Sequence, residues 1–156
     1  MNVCLSSGFF MKGGDGNAVK PYAIKENHLY RKAFSRGKRY SGRYVTVCVL
    51  KDLAAAKLKR ANPRGEFINR IGLSVPKREG GAIERNRVKR IIRAGLFEVE
   101  RRHSLRRGFL IVIASRPGIE KQKSTAIASE LRYIFKKLDM LDPTPANRSI
   151  GKKDEP

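Results

Sequence analysis

Between Arg85 and Arg93 the chain reads RNRVKRIIR, five positive charges in nine residues with no negative one. The chemistry this set offers is phosphate binding, since guanidinium forks and ammonium groups are crowded together with Asn86 among them. Val88, Ile91 and Ile92 recur at helical spacing in the same run, which predicts an amphipathic helix with a cationic face. At about 100° per residue, Asn86, Lys89, Arg90 and Arg93 cluster on one side. Val88, Ile91, Ile92, Gly95 and Val99 lie opposite, and Arg85 and Arg87 flank the basic side. A charge run is ordinarily a solvated face, but such a face mixes signs so that i,i+4 pairs offset repulsion. Here the repulsion is unrelieved, and a polyanion would remove it while gaining affinity by counterion release.

A second constellation is aromatic. Tyr30 and Phe34 fall on one face of a short helical segment, surrounded by Lys32, Arg36, Lys38 and Arg39. Core packing is one reading of that pair. Stacking of single-stranded bases, with phosphates on the neighbouring cations, is the other. Stand-alone catalysis finds no support. There are no paired carboxylates with a defined partner, no nucleophile with a base and no metal-ligand spacing. Glu79, Glu84, Glu98 and Glu100 sit among cations and read as ion-pairing groups. His28 and His103 are isolated surface or cap residues, and Cys4 with Cys48 makes no disulfide framework, as fits a reducing compartment.

The elements that must position these residues follow in order. Residues 1–22 include GGDG and carry no sustained period, so they read as a flexible leader segment. Asn27 is a candidate N-cap for the Tyr30 helix, which stops at Gly37, and Gly37-Lys38-Arg39 reads as a turn. Tyr44 to Leu50 is a β-branched strand with Val45, Val47 and Val49 on one face and Tyr44, Thr46 and Cys48 on the other. Residues 52–66 form an extended connection with a turn at Asn62-Pro63-Arg64-Gly65, where mobility or a short helical turn is expected.

Phe67 to Val75 alternates as a strand, with Phe67, Ile71, Leu73 and Val75 toward the core and Arg70 and Ser74 outside, and Pro76 ends it. Lys77 and Arg78 follow at once. Gly80-Gly81 permits a tight turn into the basic helix, either as a plain turn or as part of an anion site at the helix start. The helix should run from about Ala82 to Arg102, and Gly95 on its apolar side suggests close approach to the sheet. FLIVIA after Gly108 is a buried central strand, and Ile127, Leu131, Ile134, Phe135 and Leu138 form a last amphipathic helix. Residues 139–156 read as a disordered tail. The order helix, strand, strand, helix, strand, helix calls for an α+β fold, one sheet carrying helices.

The totals bound the function class. The chain has 156 residues, enough for one domain with tails, here residues 23–138. With 35 Lys plus Arg against 14 Asp plus Glu, its formal charge is +21, so polyanions are the expected partners. The longest apolar run, Phe109 to Ala114, is too short to cross a bilayer, which argues against a membrane partner. The opening MNVCLSSGFF lacks a basic n-region and a small-residue cleavage site, so it does not read as a secretory signal and the chain is expected to be cytoplasmic.

The run GLSVPKREGGAIERNRVKRIIR, preceded by the Tyr30 and Phe34 helix and Gly37-Lys38-Arg39, resembles the protein subunit of bacterial ribonuclease P over about Ile24 to Leu138. The resemblance implies a single αβ sandwich domain, ribosomal protein S5 domain 2-like, with a left-handed βαβ crossover against the usual handedness. It implies an endoribonuclease that removes the 5′ leader of precursor tRNA, in which an RNA subunit does the chemistry with Mg2+ bound mainly by RNA. The chain would carry no catalytic residue and no metal site of its own. RNase P RNA and precursor tRNA are the implied partners, with one protein per RNA subunit.

Carried onto this sequence, Lys77, Arg78, Arg85, Asn86, Arg87, Lys89, Arg90 and Arg93 would bind the catalytic RNA. Tyr30, Phe34, Thr46, Cys48 and Lys89 would line the leader cleft. Cys48 stands where many members have an aromatic residue, and the 52–66 connection is longer than usual. The alternative on charge and size is a small basic structural protein of the ribosome or nucleoid. A stand-alone nuclease ranks third, for want of a carboxylate cluster.

Overall fold

A computed structural model describes residues 22–61, 65 and 67–141. In chain order the elements are β1 (Tyr22–Ala23), α1 (Asn27–Arg36), β2 (Lys38–Ser41), β3 (Val45–Lys51), α2 (Ala55–Ala61), β4 (Arg70–Ser74), α3 (Ala82–Arg102), β5 (Phe109–Ser115) and α4 (Ser124–Lys137). The five strands form one sheet in the order β1-β4-β5-β3-β2. FLIVIA is continuously apolar because β5 sits at the centre, parallel to β4 and antiparallel to β3, with both faces covered. β4, α3 and β5 make the βαβ unit. The short strands β1 and β2 form the edges, β2 carrying Lys38 and Arg39, a composition that discourages further pairing.

Two cores flank the sheet. Val45, Val47, Val49, Ile71, Leu73, Ile111 and Ile113 face α3 and α4, whose Val88, Ile92, Leu96, Ile127, Leu131 and Phe135 meet them. On the other face, Cys48, Leu110 and Val112 meet Leu29, Tyr30 and Ala33 of α1. The period-2 alternation of β3 thus serves both cores.

Several expectations are corrected. Lys38 and Arg39 lie in β2, paired with Val49 and Cys48, and not in a turn. Asn27 is the first helical residue, and Glu26 precedes it without a side-chain cap. In the 52–66 connection, of the two expected alternatives, mobility or a short helical turn, the helical one is present as the seven-residue α2. Of its expected turn, Asn62, Pro63 and Arg64 lie outside the described residues, while Gly65 has φ 61°. Phe67 is exposed and precedes β4, and Ser74, expected outside, is buried. Gly95 approaches α4 and not the sheet: a Cβ there would lie 3.1 Å from both the Ala128 nitrogen and Ile127 Cγ2.

The expected domain limits also move. Tyr22 pairs with Arg70 in β1, so the fold begins before residue 23. At the other end Met140 is buried in the main core and Leu141 bridges Leu105, so it runs past 138. Of the expected tails over 1–22 and 139–156, residues 1–21 and 142–156, Cys4 included, lie outside the described residues.

Candidate nucleic-acid interface

The basic helix starts where β4 ends. Pro76 leads into a single 3-10 turn, Lys77–Glu79, whose Lys77 and Arg78 are exposed. Glu79 anchors this turn, since Ser115 Oγ at the end of β5 donates to its Oε2 at 2.6 Å. It is a half-buried tether and not the surface ion-pairing group its neighbours suggested. Gly80 has φ 124°, a conformation L side chains rarely adopt, so glycine is needed to turn the chain into α3. Glu84 leans back over this turn, its Oε2 3.0 Å from where a Gly81 Cβ would stand. Negative charge there complements the helix dipole. The glycine pair is therefore a turn with a carboxylate beside it, and no side chain caps the helix start by a hydrogen bond.

Beyond the turn, Asn86, Arg87 and Arg90 are exposed. Arg85 is half-buried, its Nε donating to the Gly81 carbonyl at 3.3 Å. Arg93 is half-buried too, and burial, then the charge of Arg90, lowers its pKa. No ion pair joins Arg87 or Arg90 to an acid among the described residues, so these two cations, with Asn86 beside them, are the part of the expected cationic face that stands open.

Lys89 is corrected. It is only 5% exposed, so neither of its two expected roles, catalytic-RNA contact and cleft lining, is open to it as the chain stands. The reason lies in the wheel: Lys89 and Leu96 are seven apart, hence about 20° from each other on a straight helix. Leu96 is fully buried, and Lys89 shares the edge of its stripe. The helix thus has three zones: a buried stripe, a half-buried charged flank, and an open face.

The α1 side divides the expected cleft residues. Tyr30 is 1% exposed, with its hydroxyl donating to the Ile24 carbonyl at 3.4 Å, and burial raises its phenol pKa. Its ring lies on Gly72, where a Cβ would come within 2.6 Å of Cζ. Cys48 is wholly buried in the same cluster, and burial raises its thiol pKa against the opposing charge of Arg39. Neither can offer a surface to a base, and both are corrected to core residues.

Phe34 and Thr46 keep partial exposure, Phe34 against the second core beside Leu50 and Thr46 with its Oγ1 3.4 Å from Ser41 Oγ. By register, Ser41, Thr46, Ala114 and Ser74 form one row across the sheet. It lies at the C-terminal ends of β4 and β5, the end from which α3 departs. What remains of the cleft is a shallow floor of small side chains with exposed Arg39 at its edge.

Sequence reasoning missed two residues on the open face of α3. Ile83 is 83% exposed and Phe97 is exposed on the same side as Asn86 and Arg90. The wheel could have placed them there, since 83, 90 and 97 are spaced by sevens. Among the described residues no three His, Cys, Asp or Glu side chains are grouped so as to hold a metal ion, and no helix is long and apolar enough to cross a membrane.

A family model described as Ribonuclease P matches residues 19–139. The Ribonuclease P protein component of Enterococcus faecalis is 31% identical over 123 residues, covering 79% of this chain and 93% of that protein. That of Brevibacillus brevis is 29% identical over 135 residues, covering 86% and 95%. Among solved structures, the Staphylococcus aureus RNase P protein aligns with TM-score 0.59 at 24% identity, over 79% of this chain and 100% of that one. The Thermotoga maritima RNase P protein in complex with 1-(4-fluorophenyl)-2-thiourea aligns with TM-score 0.57 at 20% identity, over 73% and 97%. At these identities the solved structures speak for the fold.

Proposed function

We propose, from the premise that this chain belongs to the ribonuclease P protein family, that it binds the RNA subunit through the open face of α3 and supports removal of the 5′ leader from precursor tRNA. The observation that carries this reading is the face itself: Asn86, Arg87 and Arg90 exposed with no acidic partner among the described residues, beside exposed Lys77 and Arg78. Phosphates would take the place of the missing acids, and counterion release would supply affinity. Arg85 and Arg93 contribute from the flank. The RNA subunit, with Mg2+ bound mainly by RNA, carries the hydrolysis in this reading. This chain's part is to lower repulsion between two RNAs and to hold the leader.

The leader would cross the uncovered part of the β2 and β3 surface, between Phe34 of α1 and Thr46, with Arg39 along its edge. Thr46 to Leu50 spans about 13 Å of strand, a path for a short single-stranded segment. The expected stacking at Tyr30 and the expected lining of the cleft by Cys48 have no place in this version, and Phe34 is the remaining ring. The matches favour this family over a ribosomal or nucleoid structural protein. Adding the protein to a ribonuclease P RNA at low magnesium should stimulate cleavage of precursor tRNA. No stimulation would overturn the reading.

A further inference from the structure

The end of the sheet opposite the start of α3 carries a second basic surface. Helix α2 reads AAKLKRA, with three cations and no acid. Lys57, Lys59 and Arg60 are exposed and have no ion pair among the described residues, while Ala55 is buried. Isolated helices of this length do not persist in water, so tertiary structure must hold it. Asp52 does so. It is 3% exposed, its Oδ1 accepts from the Ala54 nitrogen at 2.9 Å and its carbonyl from the Ala55 nitrogen at 3.1 Å. Its carboxylate also receives Arg70 of β4 through Nε at 2.6 Å and Nη2 at 2.7 Å. The Asp52 nitrogen donates to the Gly108 carbonyl at 3.0 Å, tying the same point to the approach to β5.

A buried, doubly hydrogen-bonded ion pair therefore fixes a short helix whose exposed side chains repel one another. That placement buries Ala55 and leaves the three cations in water. It presents cations in a defined position, and the nearby ring of Phe67, 42% exposed, is taken by Lys59 Nζ at 4.5 Å from its centroid. With the ring so occupied, the surface offers charge in preference to a stacking platform. Strand register puts α2 at the N-terminal ends of β4 and β5, where α3 finishes, whereas Arg87 and Arg90 lie near its start. From Arg87 and Arg90 to the end of α3 the helix runs about 18–22 Å, so the two basic surfaces cannot share a phosphate.

We propose that α2, through Lys57, Lys59 and Arg60, is a second RNA-backbone contact, engaging phosphates of the ribonuclease P RNA at the other end of the sheet from those held by α3. This rests on the reading of the chain as the protein subunit of that ribonucleoprotein. The test is the full chain carrying Lys57→Gln, Lys59→Gln and Arg60→Gln together, titrated with ribonuclease P RNA over a series of monovalent salt concentrations. Arg87→Ala with Arg90→Ala, and all five changes together, are measured in parallel.

The α2 variant should lower the slope of log affinity against log salt by about two to three. Its thermal unfolding should stay at the wild-type midpoint, because Asp52, Ala55 and Arg70 are untouched, and the fivefold variant should show the sum of the two losses. A wild-type slope in the α2 variant, with the Arg87 and Arg90 variant reduced, overturns the second contact and leaves the subunit reading standing. Failure of the wild-type chain to bind the RNA overturns both. Loss of binding to anionic vesicles with an unchanged RNA slope would reassign the surface to a membrane and overturn the proposal.

Discussion

Helices α1 and α3 lie on opposite faces of the sheet, and the sequence marks both for RNA, yet the fold treats them differently. In α1 the leading candidate, Tyr30, is drawn into the core and laid on Gly72. In α3 the leading candidates Arg87 and Arg90 stay in water. The difference follows from what each group costs to bury. A tyrosine ring gains from leaving water if its hydroxyl finds an acceptor, which Ile24 provides. A guanidinium without a carboxylate partner gains nothing there. An aromatic residue is thus ambiguous between core and stacking platform, whereas an unpaired cation points outward. Lys89 marks the limit of that rule, because its position beside the Leu96 stripe places it inside despite its charge.

Tyr30→Ala should break the α1 side most. Removing a fully buried ring costs about 3–5 kcal/mol, read by urea unfolding, with RNA binding by the remaining folded protein near wild type. A stable variant with weakened leader binding would return Tyr30 to the cleft. Phe34→Ala is the contrasting change on the same helix. It should weaken precursor tRNA binding by about 1–3 kcal/mol, as for loss of one stacked base, and leave mature tRNA nearly unaffected. Equal losses for both RNAs would remove Phe34 from the leader path.

The smallest expected effect concerns the charged flank of α3. Burial pushes Glu100 up to about 7, against the opposing charge of Arg107. The folded value exceeds the unfolded one, so the folded state binds the proton more tightly. Stability should then fall as pH rises from about 4.3, where the unfolded chain ionises, to about 7, and stay level above. Glu100→Gln should flatten that decline and add on the order of 1 kcal/mol at pH 8, the residue's partial exposure limiting the gain. A pH profile matching the wild type would show that Glu100 is not the group responsible. RNA affinity should not change, which separates the flank from the open face.

Much of the fold was legible because the periods were long. FLIVIA, the Val45, Val47 and Val49 alternation and the spacing of Ile127, Leu131, Ile134 and Phe135 each announced one element and its buried side. What stayed hidden was short or depended on distant partners. The strand β2 has four residues, two of them charged, and pairs only because β3 lies beside it. The helix α2 depends on Asp52 and Arg70, separated along the chain and joined only in the fold. Within the site, the open cations of α3 were legible from charge and period. The inward turn of Tyr30 was one of two open readings, and deciding it, like burying Cys48, required α1 and the sheet to be packed together first.

Binding of RNA phosphate by the open face of α3 is what assigns this chain its place in the ribonucleoprotein. Salt titration of ribonuclease P RNA binding by Arg87→Ala with Arg90→Ala tests it most directly, alongside thermal unfolding of the same protein. The slope of log affinity against log salt should be reduced by about two, with stability within about 1 kcal/mol of wild type for two exposed changes. An unchanged slope in a normally folded variant would contradict it.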